Sequence, residues 1–290
     1  MVNIYILGCG DLGRRVALRY GELGQSVRGV VRSRSSAEQL HAIGVDALVS
    51  DLDQPPLPDL SLGGSSLFYF VPPPPSGSVD TRIGNLIDTF AEIGAPRRLV
   101  YLSTTGVYGD CGGEWVDEQR QPRPVVPRAL RRWDAEQSVR HWSRKSGCQL
   151  VVLRVAGFYG PGRLPLQRLR EGLPLVCEEE APFSNRIHID DLVSVCVAAM
   201  TQGRSGELYN VSDGHPTTMT DYFDRIADLA GLRRPPKISL EQAKRQLSPG
   251  MLSYLQESRR LCNHKMLKEL EIELKYPDLA CGLASCFPDF

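Results

Sequence analysis

The chain has 290 residues, 42% hydrophobic and 23% charged, enough for one large domain or two smaller ones. Its formal net charge is zero, which argues against an electrostatic surface for nucleic acid or an anionic membrane. Eight cysteines lie scattered without Cys-x-x-Cys or zinc-type spacing, so free thiols are expected and no metal site.

No run is long enough to span a bilayer, and no charged-then-apolar leader precedes a first strand that begins at Val2. The expectation is a soluble cytoplasmic protein, monomer or homodimer, that takes a small-molecule substrate. Only six of the 34 basic residues are lysines, which reads as a compositional bias.

Val2 to Leu7 is a short apolar run with the character of a buried strand. Gly8, Gly10 and Gly13 follow as G-x-G-x-x-G, and Leu12, Val16, Ala17, Tyr20 and Leu23 then recur at helical spacing. Glycines where a strand turns into a helix form a dinucleotide-binding fingerprint. Gly8 permits the tight turn, Gly10 lets backbone approach a pyrophosphate, and Gly13 lets helix and strand pack closely. The N–H groups at the helix start, at Asp11, Leu12 and Gly13, face the phosphates.

Ser26 to Val31 is the second strand. It ends about 20 residues past the fingerprint, where an NAD site places an acid for the ribose hydroxyl. Here Arg32, Ser33 and Arg34 stand instead, and no Asp or Glu lies between Val27 and Ala37. An arginine fork matches a phosphate, so NADP is expected over NAD, although Arg32 and Arg34 also read as solvated loop charges.

Ala37 to Ile43 is a short helix and Ala47 to Val49 a third strand. Asp51 and Leu52 follow in a loop under the adenine, where Asp51 is equally a plain surface aspartate. Ser66 to Val71 is a fourth strand that stops at Pro72-Pro73-Pro74-Pro75, since proline cannot continue a ladder. That wall, with Val71 and Pro72 first, lies where a cofactor crevice forms. Asp80 to Ile93 is helical and Arg98 to Leu102 a fifth strand, so the alternation implies a doubly wound parallel sheet. Gly109 to Pro127 is loop-like. A long helix runs through Ala129, Trp133, Val139 and Trp142, and Leu150 to Val155 is a sixth strand. Ile189 to Met200 is a buried helix, Leu208 to Val211 a last strand, Met219 to Leu229 a helix, and Leu261 to Leu270 another. Cys177-Glu178-Glu179-Glu180 has no partner at metal-ligand spacing and reads as a solvated turn.

Four stretches resemble one family: Leu102 to Gly109, Leu153 to Arg163, Asn185 to Asp191 and Tyr209 to Asp213. In these the chain is similar to the extended and atypical short-chain dehydrogenases/reductases, the NAD(P)-dependent epimerase/dehydratase group. The resemblance implies a Rossmann-type α/β fold with a small C-terminal lobe. Residues 1–160 form the NADP-binding domain, completed by 186–215, and 161–185 with 216–290 form a substrate or lid lobe. It implies an oxidoreductase or epimerase. A non-catalytic NADP(H)-binding redox sensor or partner-binding protein is the alternative.

The family's glycines would fall at 7, 10 and 13, and here Leu7 replaces the first. The family's Ser or Thr falls on Thr104. Its Tyr-x-x-x-Lys falls on Arg128 and Arg132, so both usual proton-handling groups are missing. Arginine can hold a ribose or an anion, and it is a poor proton shuttle. Tyr108, Asp80 and Tyr159 are the candidate substitutes. Arg132 is assigned to the cofactor, and Arg128, Arg163 and Arg186 to an anion-friendly substrate pocket. His188 reads as structural.

Overall fold

The computed structural model describes residues 4–287 apart from 56, 58 and 59; the expected strand start at Val2 lies outside them. The chain runs through β1 (Ile4–Leu7), α1 (Asp11–Glu22), β2 (Val27–Val31), α2 (Arg34–His41), β3 (Asp46–Val49), β4 (Ser66–Tyr69), α3 (Thr81–Ile93) and β5 (Arg98–Thr104). It continues through β6 (Trp115–Val116), α4 (Pro127–Ser146), β7 (Gln149–Val155), β8 (Gly157–Tyr159), α5 (Leu166–Arg170), β9 (Leu175–Val176), β10 (Phe183–Ser184), β11 (Arg186–His188), α6 (Ile189–Thr201) and β12 (Leu208–Val211). Last come β13 (Thr217–Thr218), α7 (Met219–Leu229), β14 (Lys237–Ile238), α8 (Leu240–Gln246), α9 (Pro249–Leu255), β15 (Arg260–Leu261), α10 (His264–Glu269) and α11 (Leu279–Ala284).

Seven strands form one parallel sheet in the order β12-β7-β5-β4-β1-β2-β3. Successive residues of each central strand feed opposite faces. Ile4, Ile6, Phe68, Val100, Leu102, Val151 and Leu153 join one apolar cluster with residues of α1 and α6. Tyr5, Leu7, Leu67, Tyr69, Leu99, Tyr101 and Val152 join another with residues of α3 and α4. Both faces are covered, which is why these strands read as unbroken apolar runs. A third cluster, including Tyr159, Leu169, Leu175, Tyr222 and Leu283, lies in the C-terminal part of the chain.

The strand order reverses between β1 and β4. Chains leaving the carboxyl ends of these two neighbours diverge, which opens a crevice there. Gly8 leaves β1 with φ +78°. A Cβ on it would lie 2.7 Å from the backbone nitrogen of Val71, so the close approach of the two strand ends requires glycine.

Two expectations are corrected. Helix α2 begins at Arg34 rather than Ala37, because the Ser33 hydroxyl accepts from Ser36 N and starts the helix early. The helix expected over Leu261 to Leu270 is shortened to α10, because Arg260 and Leu261 pair as a strand with Trp115 and Val116. That pairing also gives the loop after Gly109 a strand, so tertiary contact overrides local preference.

Charge is buried beneath the sheet's carboxyl end. Glu136, with no exposed surface, takes both ends of the Arg154 fork at 2.7 and 3.1 Å, the Ser103 hydroxyl at 2.8 Å and Arg140 at 3.3 Å. Removing one member of such a cluster strands the rest, so Glu136→Ala is expected to cost about 3–5 kcal/mol in urea melts. A loss under about 1 kcal/mol would show the cluster to be solvated.

Asp213 is also buried. Burial raises its carboxyl from 3.8 to about 7, and one of its oxygens has no partner. The folded chain thus keeps a proton that the unfolded chain releases. Stability from this group is full below the unfolded value and is lost as pH rises through about 7. Asp213→Asn mimics the protonated form. Its fall in stability between about pH 5 and pH 8 should be smaller than the wild type's by on the order of 2 kcal/mol. Parallel curves for the two proteins would sink this assignment.

Candidate functional site

Two cavities lie at the carboxyl end of the sheet and meet at the proline wall. The first, about 180 Å³, is lined by Gly8, Val31, Arg32, Asp51, Leu52, Val71, Pro72 and Arg82, among others. Four separate loops, those after β1, β2, β3 and β4, thus bring together Gly8, Arg32, Asp51, Leu52, Val71 and Pro72, all expected to hold a cofactor. Arg32 is exposed and makes no ion pair among the described residues. Asp51 turns its own loop by accepting from Asp53 N at 3.0 Å. Arg82 was not anticipated. It binds Asp53 through two bonds at 2.8 and 2.6 Å and the Pro72 carbonyl at 2.9 Å, so it braces the proline wall.

The first turn of α1 supplies the adjoining anion site. No side chain caps it, and its leading N–H groups are free for phosphate oxygens. A Cβ on Gly10 would meet nothing closer than the Gly8 carbonyl oxygen at 4.0 Å, and one on Gly13 would press on Ile6 and Cys9 at 3.1 and 3.2 Å. The side chain of Leu12 points into the core, so only its backbone serves the turn. Ser33 spends its hydroxyl on capping α2, while Arg34, now in the helix, is exposed and does not line the cavity.

The second cavity, about 420 Å³, is lined by Pro73, Ser103, Thr104, Arg128, Arg132, Asn185, Arg186, Tyr254, Glu257 and Arg259, among others. Thr104 accepts from Gly106 N at 3.2 Å and keeps its hydroxyl proton to donate. Arg132 bonds the Val71 carbonyl at 3.0 Å, which links the two cavities. Arg128, one helical turn before Arg132, lies 4.2 Å over the Tyr254 ring and reaches the Ser253 carbonyl at 3.1 Å. Arg186 stacks 4.2 Å over Tyr222, and burial lowers its readiness to hold charge.

Four expected residues lie elsewhere. Tyr108 is buried, gives its hydroxyl to Asn210 Oδ1 at 2.7 Å, and has its phenol pushed up to about 12 by burial. Asp80 caps α3 by accepting from Arg82 N and Ile83 N. Tyr159 is buried in the C-terminal cluster. Arg163 pairs with Asp11 at 2.6 Å instead of lining the second cavity, and it joins the loop after β8 to the start of α1. Arg163 and Arg15 together hold the Asp11 carboxyl below its usual value against the cost of partial burial.

In the second cavity, Glu257 and Arg259 are charged residues that sequence reasoning missed, as it missed Arg82 in the first. They come from the segment between α9 and β15 and carry no local motif. Asn185 anchors that segment, donating to the Arg259 carbonyl at 3.0 Å and accepting from Leu261 N at 2.8 Å. His188 is structural, capping α6 through Nδ1 at 3.2 Å. Among the described residues no cluster could hold a metal, all eight cysteines are free, and no helix is long and apolar enough to cross a membrane.

Comparison with known proteins agrees with this geometry. Residues 83–212 match the model of the NAD dependent epimerase/dehydratase family. Protein YeeZ of Escherichia coli is 27% identical over 293 residues, covering 96% of this chain and 97% of that protein. A functionally unknown conserved protein from Silicibacter pomeroyi superposes with a TM-score of 0.85 at 30% identity, covering 100% and 99% of the two chains. The UDP-glucuronic acid 4-epimerase of Bacillus cereus, solved in complex with NAD, superposes with a TM-score of 0.75 at 16% identity, covering 98% and 97%. With a parallel Rossmann-like sheet, a glycine turn at its switch point and a threonine-lined cavity beside it, the chain belongs to the NAD dependent epimerase/dehydratase family, as an atypical short-chain dehydrogenase/reductase.

Proposed function

We propose that the protein is an NADP-dependent oxidoreductase or epimerase that acts on a small anionic substrate through a non-standard active site. The observation that carries this reading is the junction of the two cavities. A dinucleotide stretched from the α1 turn past Pro72 ends beside Thr104 and Arg132. The residues present suit such a group: glycine where the strand ends touch, uncapped N–H groups for a pyrophosphate, and an unpaired arginine where a ribose phosphate would lie.

When bound, the coenzyme supplies hydride chemistry. The chain's own residues bind and orient. Thr104 donates a hydrogen bond to a substrate oxygen. Arg128 and Arg132 stand where the family resemblance puts Tyr and Lys, and a guanidinium is a poor proton shuttle. Arg132 fixes an anion or a ribose, Arg128 holds Glu257 at the rim, and proton transfer is left to another group or to water. Losing a positioned acid or base typically costs about 10²–10⁴ in rate, so turnover is expected to be slow on substrates that need one. The open second cavity favours this reading over a non-catalytic sensor, whose site would be filled by side chains.

The coenzyme preference follows from Arg32. Fluorescence titration should show NADPH binding roughly ten- to hundred-fold tighter than NADH, and Arg32→Ala should erase most of that difference, as expected for one charge-assisted contact. Equal affinities in the wild type would refute the NADP preference.

A further inference from the structure

The second cavity carries an uneven distribution of charge. Four guanidinium side chains line it, those of Arg128, Arg132, Arg186 and Arg259, with one carboxylate among them, Glu257. Glu257 Oε2 is shared between Arg259 Nη2 at 2.9 Å and Arg128 Nη2 at 3.3 Å. Its other oxygen, Oε1, is buried and has no partner. Arg132 and Arg186 make no ion pair among the described residues. Arg186 gives one N–H to the Asn185 carbonyl at 3.2 Å, and its Nε is buried and unpartnered. Asp213, whose field reaches Arg186, makes no ion pair with it, and burial raises its carboxyl to about 7.

Arg186 Nε and Glu257 Oε1, on two residues that line the cavity, are buried and unpaired, and this describes the complement they lack. Arg132 and Arg186 have no carboxylate at ion-pair distance among the described residues, and feel those of Asp80 and Asp213 only from further off. Glu257 Oε1 lacks a donor. A plain carboxylate would answer the first need and leave the second.

The geometry points to a substrate that is a small carboxylate bearing a hydroxyl group, its carboxylate held by Arg132 and Arg186 and its hydroxyl donating to Glu257 Oε1. This rests on the reading of the cavity as the substrate site. Arg128 and Arg259 are then positioning residues, because their charge is used to hold Glu257. A cavity of about 420 Å³ suits a small organic acid, within the usual range of roughly 300–1,000 Å³ for ligand sites.

The test is calorimetric, with matched acids as probes: lactate, malate and gluconate against propionate, succinate and hexanoate, each titrated into the full chain with and without NADPH. At least one hydroxy acid should bind about ten-fold or more tighter than its plain partner, the loss expected when a buried carboxylate oxygen goes unpaired. In Glu257→Gln the amide oxygen stays with the two arginines and the amide N–H₂ takes the place of Oε1. A neutral donor then replaces a charged acceptor, so the hydroxyl can only accept there, and the preference for the hydroxyl should shrink several-fold while plain acids bind as well as or better than before. Circular dichroism checks that the variant folds, and the wild-type comparison stands without it. Equal binding within every pair, or no binding of any acid while NADPH still binds, overturns the proposal and leaves the coenzyme reading intact. No heat with NADPH either removes both.

Discussion

The constraint on which the molecule depends is the contact of Gly8 with the backbone of Val71. Two parallel neighbours, β1 and β4, send their chains apart at the same end of the sheet, and only a residue without a side chain lets them touch before they part. The gap beyond that contact is the first cavity. Its far wall is rigid because three successive features hold it: the prolines from Pro72, the bond from Arg132 to the Val71 carbonyl, and the brace of Arg82 between Asp53 and Pro72. The second cavity opens off the same wall, so the positions of both cavities are set by one stretch of backbone.

The scaffold beneath is buried on both faces, and its one large polar insertion is the cluster around Glu136. Ser103 belongs to that cluster and also lines the second cavity, next to Thr104. The floor of the site is therefore tied through β5 to α4 and β7 by charged hydrogen bonds, which are directional where apolar packing is not. The same helix α4 carries Arg128 and Arg132 to the rim.

Much of this was legible in the sequence, because parallel strands buried on both faces read as apolar runs and a glycine turn between strand and helix has few other uses. Arg32, Asp51, Leu52, Val71 and Pro72 were found because each follows directly on a strand whose end could be placed. Arg128, Arg132 and Arg186 came from the family resemblance, and the cavity gathers all three. Tyr108 misled for a local reason. The turn after Thr104 coils as a 3-10 helix and swings its ring inward onto Asn210. Asp80 misled because a buried capping carboxylate and a buried catalytic one have the same sequence appearance. Glu257 and Arg259 were invisible because they reach the site through a pairing between β6 and β15 that no local pattern announces.

The bond between Arg163 and Asp11 joins the C-terminal part of the chain to the very turn where phosphates would sit. Both side chains remain about one-third exposed. Contacts of that kind are worth roughly 0–1 kcal/mol and weaken as ions are added. The loop after β8 is thus fastened beside the glycine turn by a clasp that thermal motion opens readily, and the ionic strength of the surrounding solution sets how often it is shut.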